Sequence, residues 1–415
     1  MQGATIRDKM SVRTMLVLVL PTLGFSTALS MVTTYLPVIL MPKYTTSNTL
    51  VGFAIGGEGI FSALIPLWVG VFSDRMWTKR WGRRQPFMLF AGPFMAAALI
   101  LAPFQPGYVP IAISTFVFFG AYHFYTSPYQ SLIADVTPAN SAGKVQGYQA
   151  SMRGAGMFLG MVVAGILFYR WAALPFILNG LMIIIFTYFT IVRIREPEPE
   201  LVFRPQRSGP FAEVKRIWRS TMENKPIRRF MVATFLWEST LAGLRPFMML
   251  YFIYTLGSST QIGALLYGLV GVTYIVAALA SGYLADKYGR FLIMRVGLVV
   301  FFGGCLLGFF IRDIKWAFIF LPIFGLGGSI VLTLPYAILM GLMPKEHVGQ
   351  FTGMFSMMRG LANIIAPVLA GAAIDIAKGH MKSGAQYSVV WLYSGLVILI
   401  SLYFFRNSGR NATSV

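Results

Sequence analysis

Five ionisable side chains stand inside long apolar stretches of this chain: Glu58, Arg153, Glu238, Arg245 and Arg359. A sixth, His123, lies in Tyr122-His123-Phe124-Tyr125-Thr126-Ser127-Pro128-Tyr129. A charge in apolar surroundings is expensive unless it is paired, so such groups mark function or deliberate pairing. Burial and a neighbouring guanidinium pull a carboxylate's proton affinity in opposite directions, and that balance suits a group that loads and releases a proton. Glu238 is the first candidate for that role, Glu58 the second and His123 the third. The competing structural reading is a fixed salt bridge that only joins helices. Pro128 interrupts the backbone ladder beside Tyr122, Tyr125 and Thr126 and frees carbonyls there. Aromatic rings flanked by hydrogen-bonding groups are what a sugar needs, since its C–H face stacks and its hydroxyls find partners. Tyr122, Tyr125, Thr126 and Trp237 are therefore candidate substrate contacts, with Arg153, Arg245 and Arg359 as cationic ones. Arg153 and Arg359 occupy matching repeat positions, so a shared structural role competes with a functional one.

The elements that must position these groups follow from composition. The 415 residues are 56% hydrophobic and 12% charged, with a net charge of +20. Globular chains are about one-quarter charged, so a soluble enzyme and a disordered chain are both excluded. A membrane helix needs about 20 mostly apolar residues. Twelve runs qualify: 13–40, 49–73, 86–104, 108–134, 146–169, 172–193, 229–256, 261–284, 291–311, 316–342, 350–376 and 386–405. Counted at about 1.5 Å per residue from one membrane face, Arg153, Glu238 and Arg359 lie roughly 10–15 Å deep, and Glu58 and Arg245 roughly 22–24 Å. Glu238 and Arg245 are two turns apart on one helical face.

The basic excess maps topology rather than nucleic acid, because Lys and Arg concentrate in cytoplasmic loops. With the N-terminus inside, 25 basic residues fall inside, 6 outside and 3 within the runs. Both termini are expected in the cytoplasm, and the protein in the plasma (inner) membrane. The basic loops are expected to meet anionic lipids. No cleavable leader is evident. The segment 194–228 is polar, and within it 211–222 has the apolar spacing of a short surface helix. The lone cysteine, Cys305, leaves no internal disulfide and no cysteine metal site. No phosphate-cradling loop is present, which argues against an ATP-driven pump. No metal or cofactor is expected.

The two halves repeat. Gly147-Tyr148-Gln149-Ala150-Ser151-Met152-Arg153-Gly154 answers Gly353-Met354-Phe355-Ser356-Met357-Met358-Arg359-Gly360 at an offset of 206. Pro128-Tyr129 answers Pro335-Tyr336, and Gly82-Arg83 answers Gly289-Arg290, both at 207. The expected fold is an all-α membrane protein of twelve helices in two parallel six-helix repeats. Its halves are 1–193 and 229–415, joined by 194–228.

Gly70-x-x-x-Asp74-Arg75 with Gly82-Arg83-Arg84, and Gly282-x-x-x-Asp286-Lys287-x-Gly289-Arg290, resemble the cytoplasmic signature of the major facilitator superfamily. Glycine allows close helix approach, aspartate caps a facing helix, and arginine holds carboxylates or lipid phosphate. Gly70, Asp74, Arg75, Gly82, Arg83, Arg84, Asp286, Gly289 and Arg290 read as a gating element rather than a substrate site. Arg80-Trp81-Gly82-Arg83, with Pro128-Tyr129-x-x-Leu132 and Arg153, resembles the glycoside–pentoside–hexuronide:cation symporters and the sucrose-transporter-like branch. Two departures stand out. Helix 2 has one carboxylate where the bacterial symporters carry a pair, and mid-helix 4 lacks the aspartate of plant-type sucrose carriers.

The resemblance implies a non-enzymatic, monomeric carrier working by alternating access, with helices 1, 4, 7 and 10 around a cavity and helices 2 and 11 as neighbours. It implies Glu58 paired with Arg359, Glu238 near Arg153, and uptake of a sugar or glycoside with a proton. An exporter or flippase of an amphipathic molecule (a lysolipid or drug) is the second reading. A non-transporting scaffold or pigment-assembly factor on the same fold is the third.

Overall fold

The computed structural model describes residues 10–78, 80–196, 223–342 and 348–408. The described chain is helical almost throughout, and its extended pairing is an isolated bridge between Thr78 and Gly82. The helices are α1 (Val12–Leu40), α2 (Asn48–Arg75), α3 (Gln85–Leu101), α4 (Tyr108–Val136), α5 (Ala142–Arg170) and α6 (Leu174–Arg193). They continue as α7 (Lys225–Leu244), α8 (Thr260–Tyr288), α9 (Arg290–Phe310), α10 (Ile314–Leu342), α11 (Val348–Lys378) and α12 (Val389–Ser408). The surface helix expected over 211–222 lies outside the described residues.

Eleven of these helices are long and apolar enough to cross a membrane. The run at 229–256 differs for a physical reason. It carries Glu238, Arg245 and several hydroxyl residues, and Pro246 supplies no amide hydrogen to the ladder. The helix therefore stops at Leu244, turns, and resumes as Met248–Leu250 and a π-turn at Tyr251–Thr255.

Two compact units form, one from 1–32 with 64–205, the other from 33–63 with 206–415. Both α1 and α2 thus contribute to each unit, a finer division than the repeat halves of the sequence.

In the first unit, several buried polar side chains join α1, α4 and α6. Tyr129 donates to the Leu18 carbonyl at 3.0 Å and shares a 2.9 Å bond with Thr22. Tyr125 pairs with Thr187 at 2.8 Å. The loop between α2 and α3 is tied to the end of α6. Glu196 accepts from the backbone N–H of Arg83 at 2.8 Å and of Gln85 at 2.8 Å, which places an anion at the N-terminus of α3. Gly82 has φ +70, and a side chain there would collide with Glu196.

In the second unit, α7 packs on α11 and α12, and α9 lies between α10 and α12. Trp391 is fully buried with Tyr251, Phe320 and Phe324 set edge-on around it. The first half of α2 lies against α11 with almost no space between the backbones. A Cβ on Gly56 would come 2.9 Å from the Ile364 carbonyl, and one on Gly59 2.7 Å from that of Gly360. At the N-terminus of α2, Asp375 of α11 accepts from both the backbone and the side chain of Asn48 and of Thr49, and from the Ser47 hydroxyl.

Candidate functional site

The second unit gathers four of the charges that stand in apolar runs. Glu58 comes from α2, Glu238 from α7, Arg245 from the turn that ends α7, and Arg359 from α11. Arg359 Nε lies 3.1 Å from Glu238 Oε1, and Arg245 Nη1 lies 3.7 Å from Glu58 Oε2. Arg359 also attracts Glu58 electrostatically. The group has two positive and two negative members, so it enters the membrane with no net charge, which is how such charges become tolerable.

The pairing differs from the expected one. The sequence placed Glu58 with Arg359 and Glu238 with Arg153; the structure gives Glu58 to Arg245 and Glu238 to Arg359. The neighbourhood of Glu58 and Arg359 was right, because Gly59 packs directly on Gly360. Arg245 still closes the α7 ladder, its N–H bonded to the Leu241 carbonyl, and the acid beside it is Glu58 of α2.

The acids and bases are unequally covered. The two carboxylate side chains are 11% exposed, whereas the Arg245 and Arg359 side chains are 37% and 53% exposed. The exposed residues of α11 explain where Arg359 points. Ser356, Arg359 and the half-exposed Asn363 share one face, and Ile365, Leu369 and Ile376 are exposed on the opposite face. Hydrocarbon accommodates the second stripe and not the first, so Arg359 faces water. Tyr274 of α8 lies within electrostatic reach of both Glu238 and Arg359, and the Tyr267 hydroxyl reaches the Arg245 carbonyl at 3.4 Å.

The other predicted residues are placed as follows. Trp237 is fully buried, edge-on to Phe230 and Phe405, so it offers no ring face to a ligand in this state. In the first unit, Tyr125 is likewise buried, while Tyr122, His123 and Thr126 are half-buried. Tyr122 is edge-on to Phe25 and His123. His123 Nε2 has no hydrogen-bond partner among the described residues. Arg153 is exposed on α5 and has no acidic partner among the described residues.

Of the signature residues, Gly70, Asp74 and Arg75 are described only as helical backbone. Arg83 and Arg84 both reach Asp135, at 2.9 Å and 3.2 Å. Gly289, with φ +94, joins α8 to α9; Asp286 is exposed, and Arg290 donates to the Ala337 carbonyl at 3.0 Å. Sequence reasoning passed over Asp135, Glu196, Asp375, Tyr267 and Tyr274. Asp375 had a readable signal: an acid near the end of an apolar helix, answered by Ser47-Asn48-Thr49, a typical helix-start sequence.

The family model described as Major Facilitator Superfamily matches residues 18–367 and 247–414. The chain belongs to the Major Facilitator Superfamily. It is therefore an integral multi-pass membrane protein of a superfamily of transporters. Among curated relatives of this superfamily member, a "Multi-drug resistance efflux pump PmrA homolog" of Lactococcus lactis is 26% identical over 250 residues, 59% of this chain and 60% of that protein. The chain thus spans less than two-thirds of that relative's length. The "Quinolone resistance protein NorA" of Staphylococcus aureus is 22% identical over 292 residues, 65% of this chain and 67% of NorA. A bacterial homologue of the human lysosomal transporter Spinster, in an inward-facing unoccupied conformation, has the same fold: TM-score 0.79, 14% identity, 97% of each chain covered.

Proposed function

We propose that this superfamily member is a secondary active transporter in which substrate and proton move together. The carrying observation is the Glu238–Arg359 pair, with a buried acid and a guanidinium facing water. A proton on Glu238 cancels its hold on Arg359, and the freed donors then bind oxygen acceptors on a substrate. Proton and substrate relieve the same pair, so each favours the other's binding. A sugar or glycoside supplies such acceptors, and the Arg80-Trp81-Gly82-Arg83 loop supports that class. Glu58 with Arg245 keeps the second buried acid neutralised through the cycle. Both termini lie on the cytoplasmic side of the plasma membrane in this reading.

A second reading, proton-driven export of amphipathic molecules, is supported by the likeness to the PmrA homologue, named for multidrug efflux, and to NorA, named for quinolone resistance. The burial of Trp237 and Tyr125, which removes two sugar platforms, also favours it. The two readings differ in the sign of coupling. Export by exchange requires the proton to displace the substrate; co-transport requires it to recruit it.

Proteoliposomes loaded with a pH-sensitive dye separate them. Addition of a transported sugar to the outside acidifies the lumen under co-transport. Dye or drug efflux that acidifies the lumen as the drug leaves, with no response to any sugar, overturns co-transport and supports export.

A further inference from the structure

We infer that Arg359, assisted by Arg245, forms a subsite for the anionic head of a small organic substrate carrying a carboxylate or phosphate. The inference rests on the transporter reading and sharpens its substrate class. Glu238 engages Arg359 through Nε, at 3.1 Å, and the terminal nitrogens of that guanidinium have no hydrogen-bond partner among the described residues. Arg245 approaches Glu58 at 3.7 Å, beyond hydrogen-bond length, so its donors are also unspent. A guanidinium fork with free terminal nitrogens matches the two oxygens of a carboxylate or phosphate, and such bidentate bonds are among the strongest in proteins.

The surroundings point the same way. The charged and titratable groups about Arg359 are Glu238 on α7, Glu58 on α2, Arg245 after α7 and Tyr274 on α8. Both acids are covered at 11% exposure and already engaged, while both arginines are the exposed members. A ligand arriving from water therefore meets the positive side of a neutral cluster. A cation meets Arg359 first and is repelled. A neutral hydroxyl is accepted with less gain, because one acceptor cannot use the fork.

The test uses the whole protein in nanodiscs of phosphatidylcholine, without any gradient. Binding of 2-naphthoate is compared by calorimetry with that of neutral 2-naphthamide and cationic 2-naphthylmethylamine. The expected result is a preference for the anion of at least about tenfold, and no cation binding. Glu238→Gln, which removes the competing acid, should strengthen naphthoate binding. The double variant Glu238→Gln/Arg359→Gln, which leaves no lone buried charge, should erase the preference. Equal binding of naphthoate and naphthamide by the unaltered protein overturns the subsite. So does a preference that survives in the double variant. Displacement of naphthoate by phosphatidylglycerol added to the bilayer also overturns it, because the site then belongs to a lipid head group. Selective anion binding without proton movement in liposomes would instead sink the coupling scheme and leave the subsite standing.

Discussion

Asp375 caps a helix that is not its own: its Oδ2 accepts from the Thr49 backbone N–H at 2.8 Å and from the Thr49 hydroxyl at 2.7 Å. The other carboxylate oxygen takes the Asn48 N–H and side-chain amide, each at 2.8 Å. Helix α2 has no acid in its own first turn, so α11 supplies the negative charge that its N-terminus lacks. Asp375→Ala leaves two backbone donors and three side-chain donors without this acceptor. The variant should lose about 2–3 kcal/mol of stability, read as a fall in melting temperature in nanodiscs. Asp375→Asn should fall between the two, since one oxygen remains.

The same contact offers a test of movement. The lone native cysteine, Cys305, is fully buried, so engineered thiols have a quiet background. Oxidation of Thr49→Cys/Asp375→Cys should stop transport, and reduction should restore it, if α2 and α11 part here during the cycle. Full transport by the cross-linked protein would show that this end stays closed throughout.

Glu58 and Arg245 should behave as partners. Each single neutralisation leaves a charge inside the membrane and should lower the yield of folded protein. The exchange Glu58→Arg/Arg245→Glu should recover part of that loss, whereas Glu58→Arg/Arg359→Glu should recover less. Monodispersity after extraction is the readout, and equal recovery by both exchanges would dissolve the assigned pairing.

Glu238→Gln should abolish uphill accumulation driven by a pH gradient while exchange of labelled for unlabelled substrate continues. Normal accumulation by this variant would move the proton to another group, with Glu58 next in line.

Gly56 and Gly59 should tolerate no bulk. Gly56→Val or Gly59→Val places methyl groups where backbone carbonyls already stand, a misfit of about 1–3 kcal/mol. A melting temperature equal to that of the unaltered protein would mean that α2 and α11 can slide apart at little cost.

Much of this architecture was legible because membrane helices announce themselves by length and apolarity. The seventh run, 229–256, was counted with the rest, and its break after Leu244 was not foreseen. The site was legible as a set of residues but not as a set of pairs. Spacing placed Glu238 and Arg245 on one helical face, but which partner each meets depends on how α2 and α11 pack beside α7, and spacing along one helix does not carry that. Spacing alone also leaves the setting of Trp237 open. An indole beside a buried acid looks alike in sequence whether it lines a cavity or fills a core, and the two neighbours on α7 point different ways. Glu196 and Asp375 work through backbone N–H groups of distant helices, and a donor without a side chain leaves no mark in the sequence.

The glycine seam between α2 and α11 bears on electrical behaviour. A carrier that uses a proton gradient must not let protons slip past uncoupled. Where Gly56 and Gly59 press on the carbonyls of α11, no room remains for a file of water molecules along which a proton could hop. The seam therefore acts as insulation beside the charge cluster. Under the proposed proton coupling, it would confine proton traffic to the open side of Arg359.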